Sequence, residues 1–153
     1  MSDPYHRPSL SSAICYEDPM AAWDWLQKAF GFEPVMMITD ADGNLGHSEL
    51  SFGDGLIYVG GKWADFTGTP STLGGRNTQS VHVHLKEDID GHCQRARAAG
   101  AEILQEPTDQ FYGDRTYRAR DFEGHVWTFG QTTKVMQPDE WDAASGLKTT
   151  MYR

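Results

Sequence analysis

Apolar and polar residues follow one another along this chain in an order that occurs twice. In the first half, an apolar segment at residues 10–16 predicts a strand, and Asp18-Pro19 is typical of a helix start. Apolar residues then recur at steps of three and four as far as Gly31, which predicts a helix with one buried face. Further strands are predicted at residues 33–39, 46–52 and 56–59, separated by glycine-containing turns.

The second half repeats this order. Its predicted elements are a strand at 80–85, a helix at 88–99 and strands near 102–105, 115–120 and 125–129. Gly31 and Gly100, which end the two helices, are 69 residues apart, and so are the turn residues Gly55 and Gly124. This common spacing indicates an internal duplication.

A four-stranded sheet with one helix has one face left bare, and two such modules can close around a shared concavity. We therefore predict an α+β fold in which two tandem βαβββ modules form a curved mixed sheet around a concave cavity. One domain spans residues 1–153, with module one at about 9–62 and module two at about 80–131. A linker at about 60–79 joins the modules, and the tail 132–153 contains a short helix.

The composition narrows the class of partner. The 22 acidic and 13 basic residues give a net charge of −9, which opposes binding to nucleic acid and to anionic membrane surfaces. Cys15 and Cys93 are too few for a disulfide framework, and no apolar segment is long enough to span a membrane. We expect a cytoplasmic protein whose partner is a small molecule.

The segment at residues 112–127 reads Tyr-Gly-Asp-Arg-Thr-Tyr-Arg-Ala-Arg-Asp-Phe-Glu-Gly-His-Val-Trp. It resembles the second-module signature of the vicinal oxygen chelate superfamily, which includes glyoxalases, bleomycin-resistance proteins and extradiol dioxygenases. Phe122 stands where that signature usually has proline. The resemblance covers about residues 9–131 and implies the fold and a tendency to form homodimers, but no single activity.

The resemblance also locates the superfamily's metal ligands, which lie near the start of each module's first strand and in its last strand. A 69-residue register places Ser11 and Ser80 at the first-strand positions and Val59 and Thr128 at the last-strand positions. None of these four is a competent ligand for zinc or a transition metal. A shift of one residue offers only Ser12, Val81, Tyr58 or Trp127. We therefore expect no metal and no other cofactor.

Two pairs of polar residues alternate with apolar ones on predicted strands. His82 and His84 share one strand face, and His47 and Glu49 share another. We expect all four to line the cavity, where they hydrogen-bond a ligand, bind a displaced metal, or simply contact water. His82 and His84 are also candidate acid/base residues.

Aromatic and basic residues complete the candidate site. Trp63 in the linker and Tyr112 before the Gly113 turn are placed to stack on a flat ligand, although a dimer interface has the same appearance in sequence. One of Arg115, Arg118 and Arg120, with Arg118 our candidate, is expected to pair with a ligand carboxylate or with a surface acid.

Other residues receive structural expectations only. His92 and His125 are expected to face solvent or lie in turns, because one is in a polar helix start and the other follows a turn glycine. The tail helix is expected to dock on the domain or on a partner through Trp141 and Leu147.

These features favour a metal-independent, bleomycin-resistance-like protein that sequesters a drug or metabolite between its modules. The alternatives are a metal-dependent glyoxalase-like lyase or dioxygenase, and a metal-free isomerase that uses the cavity histidines.

Overall fold

The computed structural model describes residues 1–153 and has two similar modules. Module one contains β1 (Ser12–Cys15), α1 (Pro19–Phe30), β2 (Glu33–Thr39), β3 (Leu45–Phe52) and β4 (Gly55–Gly60). Module two contains β5 (Val81–Leu85), α2 (Ile89–Ala98), β6 (Glu102–Asp109), β7 (Asp114–Arg120) and β8 (Val126–Thr132). The predicted α+β architecture with two βαβββ modules is confirmed.

The strands form two four-stranded sheets rather than one continuous sheet. The strand orders are β1-β4-β3-β2 and β5-β8-β7-β6, with the outer β1–β4 and β5–β8 pairs parallel and the other neighbours antiparallel. No backbone ladder joins the two sheets, so contacts between modules are made by side chains and loops.

Local sequence accounts for the position of both main helices. The Asp18 carboxylate accepts a hydrogen bond from the Ala21 amide at the start of α1, and Gly31 ends the helix with a left-handed φ of 80°. The Asp88 carboxylate caps α2 in the same way by accepting from the Gly91 amide. Each helix packs on one face of its own sheet, and the two helices also contact each other.

One core unites the two modules. It contains 20 buried residues drawn from α1, α2 and the helix-covered faces of both sheets, among them Phe30 at the end of α1. The Phe30 ring lies 5.3 Å from Trp127 and 4.7 Å from Phe129, both on β8 of the other module. The modules are therefore packed as one body through aromatic contacts.

The connections differ more from expectation than the strands do. Within the linker, Pro70–Thr72 form one turn of 3-10 helix. The tail contains α3 (Pro138–Ser145), and no helix of the chain has the length and apolar character needed to cross a membrane. Trp141 is half-buried but its indole N–H has no partner, and Leu147 is exposed, so Leu147 does not dock within the chain.

Candidate functional site

Each sheet has one face that the helices leave uncovered, which we call its open face. On β5, Val83 and Leu85 are buried in the core while His82 and His84 are exposed on the open face. The predicted alternation along this strand is therefore what the structure contains. His47 and Glu49 lie on β3 and occupy the open face of the first sheet.

The structure brings His47 and Glu49 together but keeps them apart from the second histidine pair. The imidazole Nε2 of His47 hydrogen-bonds Glu49 Oε1 at 2.8 Å, and the His47 ring lies 5.1 Å from that of Tyr58. No hydrogen bond or ion pair connects these residues with His82 or His84, which lie on the other sheet. The four residues thus form two separate groups within one chain.

The superfamily's metal-ligand positions require a corrected register. Ala13 pairs with Tyr58 and His82 pairs with Thr128, so the first-strand residues are 69 apart but the last-strand residues are 70 apart. The β3–β4 turn has four residues between Ser51 and Leu56, whereas the β7–β8 turn has five between Arg120 and Val126.

This extra residue changes one of the predicted positions. Val59 is buried in the core and faces the helices, so it is not the counterpart of Thr128, and that assignment was wrong. Ser11 and Ser80 lie just before β1 and β5 rather than within them. The open-face residues that pair across the first and last strands are Ala13 with Tyr58 and His82 with Thr128.

This donor set does not fit a transition metal. Only His82 carries a side chain that commonly binds such ions, and one ligand does not hold them. Nowhere in the chain do three or more His, Cys, Asp or Glu side chains cluster as metal ligands would. The His47–Glu49 pair likewise lacks a third donor.

The predicted aromatic residues lie on loops and are accessible. Trp63 is 76% exposed and stacks edge-to-face on Phe66, with ring centroids 5.0 Å apart. Tyr112 contacts Phe111 in the same way at 5.2 Å, in the turn between β6 and β7. Each pair forms a small exposed apolar surface with unused ring faces.

A cleft of about 340 Å³ lies between β1 and the start of β5, beneath the linker. Phe66 and Arg76 of the linker line it together with Cys15 and His125. Burial raises the pKa of the Cys15 thiol, so this sulfur is a poor nucleophile at neutral pH. The sequence did not predict this cleft. The four residues expected to line a cavity, His47, Glu49, His82 and His84, do not line it.

Two histidines occupy positions that sequence reasoning missed. His92 is not solvent-facing: its Nδ1 lies 2.6 Å from the Tyr117 hydroxyl and its Nε2 lies 2.7 Å from the Phe30 carbonyl oxygen. Burial lowers the pKa of His92, which favours the neutral ring. His125 follows the β7–β8 turn as expected, but its Nε2 donates to the Cys15 carbonyl and so links the modules.

Two βαβββ modules, each with a helix-covered face and an open face, define a duplicated α+β protein of the vicinal oxygen chelate type. The glyoxalase/bleomycin resistance protein/dioxygenase superfamily matches residues 10–129, and the chain belongs to it. An uncharacterized protein of Mycobacterium bovis is 32% identical over 142 residues, which are 90% of this chain and 91% of the relative.

Solved structures give the same result. TioX from Micromonospora sp. ML1 is 34% identical with a TM-score of 0.67, and the similarity covers 82% of this chain and 98% of TioX. TnmS3, an antibiotic binding protein from Streptomyces sp. CB03234, has a TM-score of 0.62 over 80% of this chain and 93% of its own. At 18% identity, the similarity to TnmS3 concerns the fold alone.

Proposed function

We propose that this chain is a metal-independent binding protein that sequesters a small aromatic drug or metabolite over the open faces of its sheets. The observation that carries this proposal is the open face of the second sheet. There His82, His84 and Arg118 are exposed, and their one hydrogen bond within the chain joins Arg118 to Thr128. Exposed polar groups that share one sheet face and make few hydrogen bonds within the chain are available to a ligand.

Aromatic side chains support a flat ligand. Trp63 and Tyr112 are exposed on loops at the edges of the modules, and each has only one aromatic partner. Such rings stack on planar molecules with little loss of side-chain entropy. TnmS3, which shares the fold, is described as an antibiotic binding protein, and this agrees with the proposed ligand class.

The donor set supports the proposed metal independence. Of the paired open-face residues Ala13, Tyr58, His82 and Thr128, only His82 carries an imidazole, carboxylate or thiolate, and Ser11 and Ser80 before these strands carry none. Lyase and dioxygenase chemistry in this superfamily depends on that metal, so these activities are disfavoured.

We also propose that the chain acts as a homodimer. The exposed open face of the second sheet and the exposed Leu147 of the tail are surfaces that a second copy can cover, and closed twofold dimers are the commonest assemblies. A second copy would also supply the second wall that a single open face lacks. Sedimentation velocity at micromolar concentration tests this proposal, and a monomeric species contradicts it.

The binding function is tested by thermal denaturation of EDTA-treated protein against a panel of aromatic antibiotics, with each hit measured again by calorimetry. A ligand that binds the folded state raises the unfolding midpoint by mass action. We expect at least one aromatic compound to do so, with an affinity that added divalent metal leaves unchanged. Stabilisation that requires a metal, and disappears in His82→Ala, contradicts metal independence.

One observation favours a second candidate, a metal-free isomerase. The Glu49 carboxylate is buried and fixes the His47 ring, an arrangement that orients an imidazole for proton transfer. His82 and His84, the catalytic candidates from sequence, have no such partner carboxylate. Turnover of a bound carbonyl compound that is lost in His47→Gln, while binding is retained, would establish this activity.

A further inference from the structure

The three arginines of β7 differ in their partners. Arg115 pairs with Asp90 and Asp109, and Arg120 pairs with Glu102. Arg118, between them, has no carboxylate partner, and its one hydrogen bond runs from Nε to the Thr128 hydroxyl oxygen at 3.2 Å. Both terminal nitrogens of this guanidinium group are without a hydrogen-bond partner in the chain.

The strand register shows which groups lie beside this guanidinium. Arg118 pairs with Thr128 and Thr128 pairs with His82, so the three residues form one row across β7, β8 and β5 on the open face. Thr116, Gly130 and His84 form the next row in the same way. Neighbouring strands are about 4.8 Å apart, so each row spans about 10 Å, the width of a fused ring system.

Thr128 adds a directed donor to the row. Its hydroxyl oxygen accepts from Arg118, which leaves its own hydrogen free to donate to a third group. His82 has no hydrogen-bond partner in the chain and completes the row on the other side. A carboxylate placed over Thr128 would therefore lie beside a guanidinium group, a hydroxyl and an imidazole, all of which can donate hydrogen bonds to it.

The next row is different because a carboxylate lies beside it. Gly130 has no side chain, and a methyl group there would lie 3.8 Å from Asp114 Oδ2. An anion at Gly130 would be repelled by Asp114, whereas an uncharged ring would fit the space that the missing side chain leaves. The open face thus separates a position for negative charge from a position for an apolar ring.

We infer that the open face of the second sheet selects aromatic ligands that carry an acidic group, a carboxylate or an ionised phenol, and holds that group on Arg118 and Thr128. This inference rests on the proposed function and specifies its ligand class. Guanidinium recognises such groups through paired N–H donors, so the acidic group orients the ligand as well as attracting it.

The test compares 2-naphthoate with 2-naphthamide, which have the same ring and differ in the charge of one substituent. Calorimetric titration of the wild-type protein is expected to give about tenfold tighter binding of the carboxylate, the effect of one charge-assisted hydrogen bond. In Arg118→Gln, this preference should disappear while the affinity for 2-naphthamide is retained. Arg118→Lys should keep part of the preference, since it preserves the charge but not the paired donors.

Arg120→Gln is the matched control, because Arg120 lies on the same strand and face but has Glu102 as its partner. Its preference for 2-naphthoate should equal that of wild type. Three outcomes overturn this inference but not the proposed binding function. They are equal affinity of wild type for the two probes, persistence of the preference in Arg118→Gln, and an equal loss of preference in Arg120→Gln. Failure of both probes to bind overturns the proposed aromatic ligand.

Discussion

The Tyr16 hydroxyl donates a hydrogen bond to Asp121 Oδ2 at 2.7 Å, between two residues that are 105 positions apart in the chain. Tyr16 follows β1 of module one, and Asp121 begins the β7–β8 turn of module two. Both side chains are buried. Burial, with the Asp121 carboxylate close by, raises the pKa of Tyr16 well above its usual value, so the phenol remains a donor.

Asp121 organises the contact between the modules by accepting four hydrogen bonds. Besides Tyr16, the donors are Trp127 Nε1 and the amides of Glu123 and His125. Asp121→Asn would place an amide N–H against two of these donors in either orientation, and we expect a loss of about 3 kcal/mol in unfolding free energy. Tyr16→Phe should lose about 1–2 kcal/mol.

Urea denaturation followed by tryptophan fluorescence measures both losses. Asp54→Asn serves as the control, because Asp54 lies exposed in the β3–β4 turn, and it should unfold as wild type does. Stability of Asp121→Asn equal to that of the Asp54 variant would contradict the role assigned to this carboxylate.

The sequence predicted the helices and strands well because the periodic apolar residues are the ones that are buried in the core. The apolar spacing of α1 corresponds to residues that are fully buried, such as Leu26 and Phe30. Strand ends were less accurate: β6 continues to Asp109 and β8 to Thr132, where polar residues complete the ladders without an apolar pattern.

The register of the last strands could not be predicted from glycine spacing. Gly55 and Gly124 are 69 residues apart, but Gly55 is already within β4 whereas Gly124 lies in the turn before β8. The β7–β8 turn also makes a long-range contact, from Asp121 to Tyr16, which no local pattern reveals. His92 was misjudged for a similar reason, since the group that buries it belongs to the end of α1 in the other module.

His92 makes stability depend on pH. Its Nε2–H donates to the Phe30 carbonyl, so its Nδ1 accepts from the Tyr117 hydroxyl when the ring is neutral. Because burial lowers the pKa of His92 in the folded state, protonation favours the unfolded chain. Its contribution to stability is complete above the unfolded value of about 6.5 and is lost as pH falls below it.

Denaturation midpoints measured between pH 8 and pH 5 test this dependence, because that range spans the ordinary imidazole pKa of about 6.5. His92→Phe should be less stable by about 2 kcal/mol at the upper pH, since it removes two hydrogen bonds, and its stability should fall less with acid. His6→Asn changes an exposed histidine and should retain the wild-type dependence. An unchanged slope in His92→Phe would show that other groups cause it.

Gly113 closes the β6–β7 turn beside Tyr112 and has a left-handed φ of 96°. Its carbonyl oxygen accepts from the Thr133 and Lys134 amides, and a methyl group on Gly113 would overlap the Lys134 carbonyl oxygen. We expect Gly113→Ala to lose about 3 kcal/mol, from backbone strain and overlap together.

Gly43→Ala separates these two causes, because Gly43 has a φ of 82° but a methyl group on it would meet no other atom. It should lose only about 1 kcal/mol, the effect of strain alone. Thermal denaturation of the two variants measures the difference. Equal losses would mean that the approach of Lys134 to Gly113 does not constrain the turn.

Arg95 on α2 forms hydrogen bonds with the C-terminal end of α1. Its guanidinium donates to the carbonyl oxygen of Lys28 at 2.8 Å, which has no backbone donor because α1 ends there. It also donates at 2.9 Å to the carbonyl oxygen of Gln27, which accepts from the Gly31 amide as well. A positive charge at a helix C-terminus also interacts favourably with the helix dipole. Arg95→Leu should therefore destabilise the chain by about 1 kcal/mol and increase amide hydrogen exchange in the last turn of α1. Arg97→Leu, on the same helix but paired with Glu106, should leave that exchange unchanged, whereas equal exchange in both variants would remove Arg95 from the contact between the modules.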